Sequence, residues 1–101
     1  MARHDVYPIP GRRDSGYVVD VQSDLLSSLT TRVVVPLLPE AEFPAAATRL
    51  NPIFEIGGQR HMLIVQSIAT VPRRELRDVV ASLKDSHDTI LAAIDLLLTG
   101  F

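Results

Sequence analysis

A chain of 101 residues with 47% hydrophobic and 22% charged content holds one domain around a single modest core, with a radius of gyration of roughly 13 Å and no room for a second domain. A formal charge of −2 argues against a protein that grips nucleic acid by neutralising phosphates, which favours a basic footprint. The absence of cysteine excludes disulfides, thiolate metal sites and a cysteine nucleophile, and no residue pattern calls for a cofactor.

The stretch MARHDVYPIPGRRDSG has no apolar h-region, and the longest apolar run elsewhere is far below the ~20 residues that span a bilayer, so a cytoplasmic chain without membrane contact is expected. Arg3 to Tyr7 alternates well enough for a short strand, which Pro8, Pro10 and Gly11 break into a polar loop carrying Arg12, Arg13 and Asp14. In the next strand Tyr17, Val19 and Val21 face one side while Val18, Asp20 and Gln22 face the other, the period of a sheet with one buried face. Ser23 and Asp24 end that pattern. Leu25 and Leu26 follow side by side, and in an extended segment they could not both enter one core.

The run TRVVVPLL from Thr31 to Leu38 is β-branched and stopped by Pro36 and Pro39, and AEFPAAATRLNP reads as an irregular connection or short strand ending at Pro52. Gly57-Gly58 between apolar runs suits a two-residue hairpin turn, because both glycines can take the positive φ that such turns need. Met62 to Val65 is continuously apolar, which predicts a strand covered on both faces. Arg73 to Val80 reads equally as a short helix or as a loop with an edge strand.

Ser82 and Asp85 have capping-box spacing ahead of a helix from about Leu83 to Leu98, and Asp85 and Asp88 suit the positive end of its dipole. Leu83, His87, Ile90, Leu91, Ile94, Leu97 and Leu98 form its apolar stripe, which Leu96 to Leu98 widens beyond what one core needs. An apolar terminus of this kind, closing in Thr99-Gly100-Phe101, points to contact with a second copy or another protein. The architecture that emerges is α+β but mainly β: about five antiparallel strands in a small barrel-like sheet with one C-terminal helix.

Among polar residues, His4, His61 and His87 are scattered in the sequence and read as structural rather than as a metal site. Asp20 and Asp24, four residues apart near a strand end, read as solvent-facing or turn-capping rather than as an acid/base pair. Arg12-Arg13 and Arg73-Arg74 are solvated surface, or a docking surface for an acidic partner.

VDVQSDLL, VVVPLL, FEIGG, ATVP and the closing IDLLLTGF, collinear along essentially the whole chain, resemble the CcdB family of toxins from type II toxin–antitoxin modules. The resemblance implies an SH3-like barrel related to ribonuclease toxins of the MazF type, a homodimer, and a non-enzymatic mechanism in which the toxin binds the A subunit of DNA gyrase and traps its cleavage complex. It also implies a CcdA-type antitoxin that neutralises the toxin, with operator DNA met only through the toxin–antitoxin complex. The family's gyrase-contact positions correspond to Leu25, Leu26, Asp95, Thr99, Gly100 and Phe101, and Arg12 and Arg13 are assigned to antitoxin docking. The chain departs from the family at its end, where Thr99-Gly100-Phe101 stands in place of Trp-Gly-Ile and Asp95 in place of asparagine. Two alternatives stay open: a MazF-like endoribonuclease recruiting Arg3, Asp5 or His61, and a toxin-fold module that only binds antitoxin.

Overall fold

Strand β3 (Thr31–Pro39) organises the sheet because it serves three partners. In the computed structural model, which describes residues 2–42 and 49–100 without the side chains of residues 13–15, its N-terminal half pairs with β6 (Ala69–Pro72) and its C-terminal end with β5 (Gln59–Leu63). Its other edge pairs with β2 (Arg12–Asp20), from Val34 opposite Asp20 to Leu37 opposite Tyr17. Outward from these lie β1 (Asp5–Ile9) on β2, β7 (Ala81–Ser82) on β1, and β4 (Ile53–Ile56) on β5, all antiparallel, with α1 (His87–Thr99) at the C-terminal end. The described sheet has seven strands against about five expected, and the two-residue β7 accounts for part of the difference. The irregular connection read after Pro39 falls mostly on residues 43–48, outside the described residues.

The alternation of β2 holds, yet both of its faces are buried. One face, with Val19, Val35, Leu37 and Leu63, packs on Ile90 and Ala93 of α1 as the main core. The other carries a smaller cluster of Tyr7, Val18 and Val34 closed by Leu76. The cover for that second face comes from residues 73–80: Arg73 N–H donates to Thr30 O and Val80 N–H to Val6 O, so the segment straps across the sheet with Leu76 turned inward. It winds one 3-10 turn at Arg73–Glu75, runs on without helix or strand to Val80, and only then enters the two-residue β7 at the sheet edge.

Two glycine positions explain local geometry. Gly57 and Gly58, at φ of +60° and +81°, turn the chain from β4 to β5 as expected of a primed hairpin turn. Gly16, at φ +127°, lets β2 approach β3 closely, since a Cβ there would lie 2.8 Å from Leu38 Cδ2 and 3.0 Å from the Leu37 carbonyl oxygen. Met62, Leu63, Ile64 and Val65 are all buried, as their unbroken apolar run requires.

The helix begins later than the capping pattern predicts. Ser82 pairs with Asp5 in the β7–β1 ladder, its hydroxyl accepts from Lys84 N–H at 3.3 Å, and the chain winds a 3-10 turn over Lys84–Ser86 before α1 starts at His87. The stripe is also narrower than read: Ile90 and the unremarked Ala93 are the fully buried positions, whereas Leu98 is exposed.

Asp20 is corrected in a similar way. Its Oδ1 does cap the bend by accepting from Gln22 N–H at 3.0 Å, but the side chain is fully buried rather than solvent-facing, with Arg32 Nε 3.6 Å from Oδ2. Burial pushes the Asp20 carboxyl above the usual carboxylate range, and the Gln22 hydrogen bond and Arg32 oppose that rise. Arg32→Met should destabilise the fold by about 3–5 kcal/mol by stranding Asp20, whereas Asp20→Asn with Arg32→Met should recover most of that loss in urea titrations.

Candidate functional site

The segment leaving β2 is polar in sequence, and its polar groups all serve to hold a tight loop. Gln22 is buried, donating from Nε2 to Leu26 O at 3.0 Å and accepting at Oε1 from Val33 N–H at 3.1 Å, so one amide ties the loop to β3. Ser23 caps the 3-10 turn Asp24–Leu26, its Oγ accepting from Leu25 N–H at 3.2 Å. Asp24, exposed as expected, accepts from Arg3 N–H at 2.9 Å, and Arg73 Nη1 donates to Ser27 O at 3.2 Å from the far side.

These braces leave apolar side chains outside. Leu25 is 93% exposed, Leu26 49% and Leu29 46%. Leu26 and Leu29 line a groove of about 400 Å³ together with Leu91 and Ile94 of α1 and with Ile68 and Val33. A loop that is hydrogen-bonded on several sides and still presents a nearly free leucine is a rigid apolar projection, the type of feature that partners use.

The other residues singled out from the sequence lie elsewhere. Asp95, Thr99 and Gly100 are exposed at the end of α1, where Thr99 Oγ1 donates to Asp95 O at 2.7 Å and Gly100, at φ +80°, caps the helix by donating its N–H to Leu96 O. Leu26 shares its groove with Leu91 and Ile94 of α1, short of this end. Phe101 lies outside the described residues, as does the side chain of Arg13. Arg12 is exposed at the β1–β2 turn, opposite Ile9.

Two of the three scattered histidines meet in space. His4 Nε2 and His87 Nδ1 are 2.8 Å apart, with the rings edge-on at a centroid distance of 5.0 Å. His4 holds a positive φ of 72°, donates its N–H to Asp20 O and accepts at its carbonyl from Leu83 N–H. Because His4 Nδ1 is buried without a partner, the tautomer that donates from Nε2 is favoured: it leaves a lone pair orphaned rather than an N–H. Arg3 and His4 together staple the start of α1 to the Leu25 loop. No group of three or more potential metal ligands occurs among the described residues. His61 stands apart, buried against Tyr17 with Nδ1 2.9 Å from Gln59 O.

Sequence reasoning missed Gln22, Arg32 and the His4–His87 pair as parts of this scaffold. The signal for Gln22 was its place at the strand end just before the capping serine, where an amide can satisfy backbone groups on both sides.

Comparison with known proteins fits this geometry. The family model described as "CcdB protein" matches residues 3–100. The chain belongs to the CcdB family. Among solved structures, the fold is similar to an endoribonuclease in complex with its cognate antitoxin from a Mycobacterial species, with a TM-score of 0.77 over 97% of this chain and 94% of that one. At 15% identity the likeness is one of fold, and it bears out the small barrel with a C-terminal helix. No helix among the described residues of this CcdB-family chain is long and apolar enough to cross a membrane.

Burial, then Arg3 and His87, lower the His4 pKa below 6.5, so the folded chain binds fewer protons than the unfolded chain just under that value. The His4 contribution to stability is therefore complete above 6.5 and is lost as pH falls toward the folded-state pKa. His4→Asn, which keeps a residue tolerant of positive φ, should flatten the drop in melting temperature between about pH 7.5 and about pH 5.5. Thermal melts followed by circular dichroism measure the two slopes.

Proposed function

We propose that this chain is the toxin of a type II toxin–antitoxin pair that binds the A subunit of DNA gyrase and traps the gyrase–DNA cleavage complex without being an enzyme. The observation that carries this reading is Leu25, 93% exposed on a loop held by Gln22, Ser23 and Asp24, at a position to which the family resemblance gives the role of gyrase contact. A preordered apolar residue loses little conformational freedom on binding, so most of its burial appears as affinity. Asp95, Thr99 and Gly100 form the second contact of this reading. Thr99 has no aromatic area, and its hydroxyl is engaged with its own helix, so the leucine loop carries the larger share of the binding here.

A CcdA-type antitoxin is the neutralising partner, a reading supported by the family and by the structural neighbour's presence in complex with its cognate antitoxin. The homodimer belongs to the same proposal. The separation of the residues a ribonuclease would recruit supports a non-enzymatic role. Arg3 Nε donates to Val21 O while His61 packs on Tyr17, four residues back along the same extended segment, or about 13 Å at ~3.3 Å per residue. The buried Asp20, Arg32 and Tyr7 are sealed from any substrate.

The test incubates purified protein with gyrase and plasmid DNA, then scores linear DNA released by detergent and protease. Accumulation of linear DNA is expected; none, together with cleavage of added RNA, would replace this reading with the ribonuclease one. Leu25→Ser should leave the melting temperature unchanged to within about 0.5 kcal/mol of stability, since the side chain touches little. The same change should raise the toxin concentration needed for trapping by about tenfold or more, equivalent to ~1.4 kcal/mol.

A further inference from the structure

The leucine loop has two halves, and the braces from Gln22, Ser23 and Asp24 all fall on the first. Past Leu26 the chain runs Ser27-Ser28-Leu29-Thr30 before β3 begins. Within that run Ser27 N–H donates to Asp24 O at 3.2 Å and Leu29 N–H to Leu26 O at 3.1 Å. Both bonds point back into the first half, so neither ties the second half to the rest of the fold. The 3-10 turn Asp24–Leu26 has no basic residue near its end, and Ser27, which caps it, presents a carbonyl beyond the turn's own hydrogen bonds.

Arg73 supplies what is missing, from 46 positions away. Thr31 lies opposite Pro72 at the end of the β3–β6 ladder, and proline has no N–H, so the next donor along the chain is Arg73. Its N–H donates to Thr30 O at 2.8 Å, which seats the Arg73 backbone beside the loop. From there the side chain reaches back, and Nη1 donates to Ser27 O at 3.2 Å. One residue of the strap thus holds the carbonyls at both ends of the Ser27–Thr30 run. Arg73 is exposed, so its side chain can be removed without opening a cavity in either core. A guanidinium is planar and prearranged, and gives up less freedom per hydrogen bond than an ammonium on a flexible stem.

We propose that Arg73 is a positioning residue for the leucine loop: by holding Ser27 O, its side chain keeps the second half of the loop closed in the free chain, and with it the aim of Leu25. Leu26 and Leu29, on either side of that bond, stay in the groove lining for the same reason. This inference rests on the gyrase reading above and adds what keeps the contact surface formed before the partner arrives. Were the loop closed for only about a third of the time, its apparent affinity would fall by about threefold, because only the closed fraction binds. The backbone bond to Thr30 survives any change of side chain short of proline, so a substitution at position 73 removes the guanidinium alone.

Residue-resolved amide hydrogen exchange on the full chain tests this role, with gyrase trapping assayed on the same preparations. Arg73→Met keeps the apolar stem and removes the donors. Exchange at Ser27 and Leu29 should speed up by about threefold or more, while Val21, whose N–H donates to Val33 O inside the sheet, should exchange as before. The toxin concentration needed for trapping should rise by about threefold. Arg73→Lys, which keeps a donor, should fall between Arg73→Met and the unaltered chain on both measures. Arg77→Met removes the same charge from the same strap, where Arg77 Nε donates to Arg74 O and not to the loop, and it should change neither. Should Arg73→Met not fold by circular dichroism, Arg73→Gln is read in its place. Unchanged exchange in Arg73→Met, no recovery in Arg73→Lys, an equal effect of Arg77→Met, or faster exchange with unchanged trapping overturns the proposal. An unaltered chain that fails to trap defeats the gyrase reading, and exchange alone then decides whether Arg73 holds the loop.

Discussion

One strand with three partners sets the architecture. Because β3 pairs with β6 over its first half, with β5 at its end and with β2 along its other edge, three of the ladders that build the sheet run through this one strand. On one face of that sheet lies the main core under α1, and on the other a second cluster covered by the 73–80 strap. Arg32 and Asp20 lie near the start of this strand pair, fully buried and opposite in charge, so the second face contains a polar element that cannot lose one member without exposing the other's desolvation cost.

From that frame the candidate site follows by short links. β2 ends at Asp20, whose carboxylate turns the chain, and Gln22 then ties the turn back to Val33 of β3. Ser23, Asp24 and Arg3 hold the loop that carries Leu25, and His4 connects the same N-terminal segment to the first turn of α1. The loop and the helix are thus positioned by one short segment, and the groove that Leu26 lines reaches the middle of the helix rather than its end.

Much of this fold was legible in the sequence where the signal is local. The Gly57-Gly58 turn and the alternation of β2 depend on neighbouring residues and came out as read, as did the burial of Met62 to Val65, although the strand ends at Leu63 and Val65 opens a 3-10 turn. Leu25 was legible as a break in the strand period. What was hidden depends on distant pairing. Asp20 looked solvent-facing because its cover, residues 73–80, arrives more than fifty positions later, and His4 and His87 are 83 positions apart. The helix start was misplaced because Ser82, a good cap in isolation, is drawn into the sheet by Asp5. Tertiary pairing overrode a local preference worth about 1 kcal/mol.

The outer strands of the sheet are short. Among the described residues β7 has two residues and β4 and β6 four each, so the strands that pair on one side only offer short ladders of backbone groups for another chain to extend. What such a sheet leaves for contact is side chains, among them the exposed Leu25. Recognition that rests on side chains can drift by point substitution while the barrel stays constant, so this fold fixes the position of its contact surfaces but not their specificity.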